Sequence, residues 1–245
     1  MRTEDVKKQY TIPVEGASYP KGPYHFADRE FLIVKFETDI KAIRAVVPEP
    51  LEVSESVASF EVIHMPDSSG FGSYTESGIT VPVKYNGDDA TFIVNMFLND
   101  HPPIAAGREI WGFPKKWGEP NLRVVRDQVV GTLDYSGVRV ATATMAYKYE
   151  QMDSEKVKEG LGAYNYNLKV IPSVDGSVAI SQLIRYKMED IDIKWAWKGP
   201  AALDIRPCAL APIYKFPVIS IIEGYHVLTD LTLPYGEVVY DYLSD

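Results

Sequence analysis

A chain of 245 residues buries roughly 70–75% of its unfolded surface, so a substantial core is available. Its 46% hydrophobic and 24% charged residues are ordinary globular values, and no run reaches the 18 or so apolar residues of a membrane span. The formal net charge of −9 argues against nucleic acid as a partner, because neutralising phosphates takes concentrated Lys and Arg.

The opening MRTEDVKKQY does not read as a secretory leader, so a cytoplasmic location away from membranes is expected. Residues 38–47 put Ile40, Ile43 and Val47 on one helical face behind a Thr-Asp cap and stop at Pro48, which predicts a short helix. Strands are predicted over 31–36, 59–65, 79–85 and 91–98, with Asn86-Gly87-Asp88 as a hairpin turn. Segments 121–126, 129–135 and 138–149, broken by Asp127-Gln128 and Ser136-Gly137, read as an antiparallel meander. Two more strands, 167–171 and 178–187, flank Asp175-Gly176, and short helices are expected over 153–160 and near 238–243. With no repeat or linker, residues 1–245 read as a single α+β domain, mainly antiparallel β, as a barrel or a pair of sheets with a few peripheral helices.

The usual chemical signatures are missing. His25, His64, His101 and His226 show no metal-ligand spacing, and Cys208 has no second cysteine with which to form a disulfide or a zinc site. Gly70-Phe71-Gly72 does not continue into a dinucleotide fingerprint, and neither a phosphate loop nor a GxSxG elbow is present. No metal and no bound cofactor are therefore expected.

Trp111-Gly112-Phe113-Pro114-Lys115-Lys116-Trp117-Gly118 sets two lysines among three aromatic rings. One reading is a surface pair on an edge strand with rings under the lysine stems. The other is a buried amine. Lysine ordinarily titrates near ~10.4, so holding half of it neutral at pH 7 takes roughly 4.6 kcal/mol, which burial alone can supply. A free amine attacks a ketone carbon.

This segment within 107–120, GREIWGFPKKWGEP, together with YPKGPYHFADREF (19–31), VVPEPLEV (46–53), FGSYTESG (71–78) and GTLDYSGVRVATATMAYK (131–148), closely resembles the acetoacetate decarboxylase family. The likeness runs from about residue 10 to the C-terminus. Activation of a lysine by desolvation or by a neighbouring cation is itself known from acetoacetate decarboxylase, so the resemblance carries that idea. It implies a lyase that releases carbon dioxide from acetoacetate or a close β-keto acid, giving acetone. The implied fold is β-barrel-like, the assembly a large homo-oligomer, a dodecamer, and the substrate is held covalently on a lysine without a cofactor.

By the same resemblance Lys115 is the Schiff-base lysine and Lys116 its neighbour, while Arg29, Glu61 and Glu76 are the polar residues of the site. Taken singly, Arg29 between Asp28 and Glu30, Glu61 in an alternating strand and Glu76 in a Gly-rich stretch each have an ordinary structural reading. If Lys115 and Lys116 are extended, their amines lie on the order of 10 Å apart, worth about 1–2 kcal/mol at an effective dielectric near 20. Desolvation by Phe113, Met96 and Phe26 is thus expected to depress Lys115 more than the charge of Lys116 does. Phe113 stands where tyrosine is expected in the best-known members of the family, and Trp111 and Trp117 are bulkier than their usual counterparts, which bears on substrate size more than on reaction type. Two rivals remain: a Schiff-base aldolase-dehydratase of the same superfamily, and a non-catalytic β-barrel that binds small apolar ligands.

Overall fold

The computed structural model describes residues 1–244 and is built almost wholly of strands after one N-terminal turn, α1 (Thr3–Val6). β1 (Tyr24–Glu37) buries Leu32, Val34 and Phe36 on one face and Phe31 on the other, so both sides of the strand are covered. α2 (Ile40–Arg44) lies within the predicted helix, started by Asp39, whose carboxylate accepts the Lys41 N–H at 2.8 Å. β2 (Val57–Met65), β3 (Asp67–Ser68), β4 (Tyr74–Tyr85) and β5 (Asp88–Leu98) follow. The β4–β5 hairpin turns on Asn86 and Gly87, both at positive φ, as an Asn-Gly pair requires.

α3 (His101–Ala106) runs on into a π-helical turn, Gly107–Trp111, and then β6 (Lys115–Trp117). β7 (Glu119–Val125), β8 (Gln128–Tyr135) and β9 (Val138–Ala146) form the expected meander. Its first turn falls on Arg126-Asp127, one residue earlier than predicted, because Gln128 already pairs with Val125. After β10 (Glu150–Gln151), Asp153 caps α4 (Ser154–Leu161) by accepting the Glu155 N–H. The chain continues through β11 (Tyr164–Pro172), β12 (Val178–Tyr186), β13 (Glu189–Gly199), β14 (Ala201–Ile205), β15 (Ser220–Leu233) and β16 (Glu237–Asp241). The helix expected near 238–243 is therefore a strand: Val238 and Tyr240 pair with Ile184 and Leu183 of β12, a distant partner that overrides local preference.

The large sheet runs β10-β13-β15-β1-β2-β4-β5-β11-β12-β16, with β3 on β1 and β6 on β5, and a smaller sheet runs β14-β9-β8-β7. The barrel expected from the resemblance is not closed: both strand paths have free ends among the described residues, and the large sheet wraps one cavity instead. Mainly antiparallel pairing with few short helices agrees with the expected class. The large sheet's two faces have different tasks. One packs Leu32, Val34, Phe60 and Val62 against Val129, Leu133 and Val140 of the small sheet. The sheets meet closely at Gly131, where a Cβ would come within 2.8 Å of Val62. The other face gathers Phe26, Phe31, Ile63, Met96, Phe113 and Leu231 around the cavity.

Candidate active site

Lys115 begins β6, which pairs parallel with β5 so that Lys115 lies opposite Met96. Its stem passes over Gly107, where a Cβ would stand 2.7 Å from Cδ and 3.0 Å from Cε, so only glycine leaves the stem its course. Arg108 donates to the Lys115 carbonyl at 3.2 Å, and the Phe113 N–H donates to the Gly107 carbonyl, tying the π-turn to the strand it feeds. The amine points into an aromatic wall, 5.0 Å from the centre of the Phe113 ring and 6.0 Å from that of Tyr74. Only 6% of Lys115 is exposed.

Arg29 is aimed by a bulge. The β1–β15 register slips between Phe26 and Arg29, and Asp28 takes φ +54°. Asp28 is braced from outside by Lys194, which bridges it to Asp230 at 2.6 and 2.7 Å. The guanidinium lies 5.0 Å from the Phe26 ring centre and 4.9 Å from that of Phe31, and is 5% exposed. Glu76, 3% exposed on β4, sits between the two cations: Arg29 Nη2 donates to Oε1 at 3.4 Å, and Lys115 Nζ is 3.1 Å from Oε2. The lysine contact is an ion pair without hydrogen-bond alignment, and the Arg29 Nε proton has no acceptor. Glu61, on β2, faces the same cavity and accepts from Thr80 Oγ1 at 3.1 Å.

Burial is the largest influence on the Lys115 pKa and lowers it; the carboxylate of Glu76 opposes this, and the charge of Arg29 lowers it further. Lys116 is not among the causes. As strand alternation demands, its amine turns away, donating to the Leu210 carbonyl at 2.6 Å and lying 4.9 Å from the centre of the Tyr135 ring. Glu61 is pushed up to about 7, mainly by burial; the Thr80 hydrogen bond and Arg29 pull it down, and Glu76 adds to the rise. The Glu61 surface that is not covered opens on the cavity, which accounts for this desolvation. Burial and the Glu76 charge hold Tyr74 well above its ordinary pKa, so it stays a neutral phenol.

Thus Lys115, Glu76, Arg29, Glu61, Phe113, Met96 and Phe26 line one cavity of about 500 Å³, while Lys116 leaves it. Trp111 and Trp117 do not line it: Trp111 is buried behind Phe113 and donates to the Pro234 carbonyl, and the half-exposed Trp117 stacks on His101. The sequence reading passed over Tyr74 and Tyr186, which the wrapping of the sheet brings to the cavity, and Gly107, whose signal was its place in the quoted segment. Among the described residues no three His, Cys, Asp or Glu side chains gather as metal ligands.

A family model described as acetoacetate decarboxylase (ADC) matches residues 9–243. The chain belongs to the acetoacetate decarboxylase family. It is 52% identical to the acetoacetate decarboxylase of Burkholderia mallei over 237 residues, covering 97% of this chain and 96% of that protein. The Burkholderia vietnamiensis acetoacetate decarboxylase is 51% identical over 245 residues, with full coverage of both chains. The crystal structure of the Legionella pneumophila acetoacetate decarboxylase superposes with a TM-score of 0.94 at 47% identity, covering 98% of this chain and 96% of that one. The family match and the superposition show that the fold is that of the acetoacetate decarboxylases.

Proposed function

We propose that the chain decarboxylates acetoacetate to acetone and carbon dioxide through a Schiff base on Lys115. The observation that carries this is a desolvated lysine amine enclosed by Phe113, Tyr74, Glu76 and Arg29. The neutral amine attacks the ketone carbon, water leaves, and the imine nitrogen takes up a proton from solvent to give the protonated imine, a proton returned at the final hydrolysis. The bond to the carboxylate then breaks, its electron pair flows to the imine nitrogen, and carbon dioxide departs from an enamine. Protonation of the enamine carbon and hydrolysis release acetone and restore the amine. The iminium nitrogen is the electron sink, so the scheme needs no cofactor.

Each polar partner has a task. Arg29 keeps its charge and has a free Nε donor, which suits it to the substrate carboxylate before cleavage. Glu76, paired with both cations, fixes the amine. Glu61, with its pKa near 7, carries the proton to the enamine carbon. Glu76, in contact with both Lys115 and Arg29, favours decarboxylation over the aldolase-dehydratase, and the desolvated amine favours an enzyme over a passive binding barrel. The chain works as one domain in the cytoplasm; two cores on opposite faces of one sheet support the single domain, and among the described residues no helix is long and apolar enough to cross a membrane. It assembles into a large homo-oligomer, twelve copies by the family resemblance. Incubation with acetoacetate tests the reaction: acetone and carbon dioxide appear in equal amounts with the native chain and not with Lys115→Ala. Equal rates from the two proteins would refute it.

A further inference from the structure

The cavity runs from a sealed end to an open one. Arg29, Glu76 and Lys115 close one end. Two-residue steps along β1 carry the wall outward from Arg29 through Phe31 and Ile33 to Lys35, about 20 Å at ~3.3 Å per residue. The first two are buried and the last two half-buried, so the mouth lies toward Lys35. The exposed part of the wall is α4, none of whose residues is buried, and which turns Lys156, Val157, Gly160 and Leu161 to the cavity.

The wall's charge opposes that of the chain. Besides Lys115, which reacts as a neutral amine, it carries three cations, Arg29, Lys35 and Lys156, against two carboxylates, Glu61 and Glu76, in a protein of formal net charge −9. Neither Lys35 nor Lys156 makes an ion pair among the described residues, whereas Lys84, Lys194 and Lys198 do. The acidic residues of α4, Glu155 and Glu159, are not part of the wall. A cleft lined by one sign of charge concentrates ligands of the other sign and speeds their entry.

We infer that Lys35 and Lys156 form a cationic rim that selects the anionic β-keto acid at the mouth and has no hold on the neutral ketone that leaves. The inference rests on the decarboxylase reading for its substrate. It makes the two lysines specificity-determining residues that act on entry, without touching the reacting atoms.

The test is the Lys35→Gln/Lys156→Gln double variant of the full chain, assayed with acetoacetate across ionic strength. The rim predicts a loss of about three- to tenfold in kcat/KM at low salt with kcat unchanged. The gap closes near 1 M salt, where the Debye length is only about 3 Å. Lys35→Arg/Lys156→Arg keeps the native kcat/KM. The neutral diketone 2,4-pentanedione, followed by the absorbance of its enaminone with Lys115, condenses at the same rate with the native chain and the Gln variant. An unchanged kcat/KM at low salt, a loss that persists at 1 M salt, or an equal loss toward the diketone overturns the inference. A native chain that releases no carbon dioxide from acetoacetate contradicts the decarboxylase reading instead; the rim is then judged by the salt dependence of butyrate binding, compared between the native chain and the Gln variant.

Discussion

Burial in the cavity wall disfavours the charged form of Glu61 and pushes its pKa up to about 7, which fits the proposed role of donor to the enamine carbon at neutral pH. Its proton is present below about 7 and lost above, while the Lys115 amine becomes free as pH rises. The rate should therefore fall on the alkaline side with a midpoint near 7. Glu61→Gln should cost about 100-fold or more in kcat and remove that limb from the pH profile; a variant with the native profile would exclude Glu61 as the donor. The same shift has a stability consequence. A carboxyl raised from 4.5 to about 7 on folding contributes stability that is full below 4.5 and lost as pH rises through 7. Glu61→Gln should leave stability near pH 4 unchanged and raise it at pH 8 by at most about 3 kcal/mol, measured by denaturant unfolding at the two pH values. None of this is legible in FEVIHM alone. Alternation places Glu61 on the face opposite Val62, and only the wrapping of the sheet makes that face a cavity wall instead of a solvent face.

Local chemistry decided the elements that the sequence made legible. Asn86-Gly87 and Ser136-Gly137 form their hairpins because the residues at positive φ are in the chain itself, and Asp39 and Asp153 start their helices by capping them. Elements that depend on a distant partner were misread or passed over: β16 exists because β12 receives it, and the bulge at Asp28 that aims Arg29 is braced by Lys194 and Asp230. The turn into β6 is intermediate. Its role in placing Lys115 hangs on Gly107, and Gly107→Ala should crowd the lysine stem and shift the amine. A displacement on the order of 1 Å costs about 100-fold in rate, so kcat should drop by that order while the fold survives a loss of about 1–3 kcal/mol. Native activity in a folded Gly107→Ala chain would show that the stem has another course.

At the scale of the molecule, a single curved sheet separates packing from chemistry. The face against the small sheet is filled with aliphatic and aromatic side chains, and the other encloses the charged cluster in a low-dielectric cavity. Exposed apolar residues such as Leu210, Ile219 and Ile222 lie outside both cores. Light scattering should give a mass many times 27.5 kDa, twelvefold for a dodecamer; a monodisperse 27.5 kDa species would contradict the assembly. The most direct measurement of the central claim is mass spectrometry of the chain treated with acetoacetate and sodium borohydride, with Lys115→Ala beside it. The Schiff-base account predicts a stable adduct on Lys115 with the mass of the reduced acetone imine and none in the variant. An adduct elsewhere, one that retains the carboxylate, or none at all would contradict it.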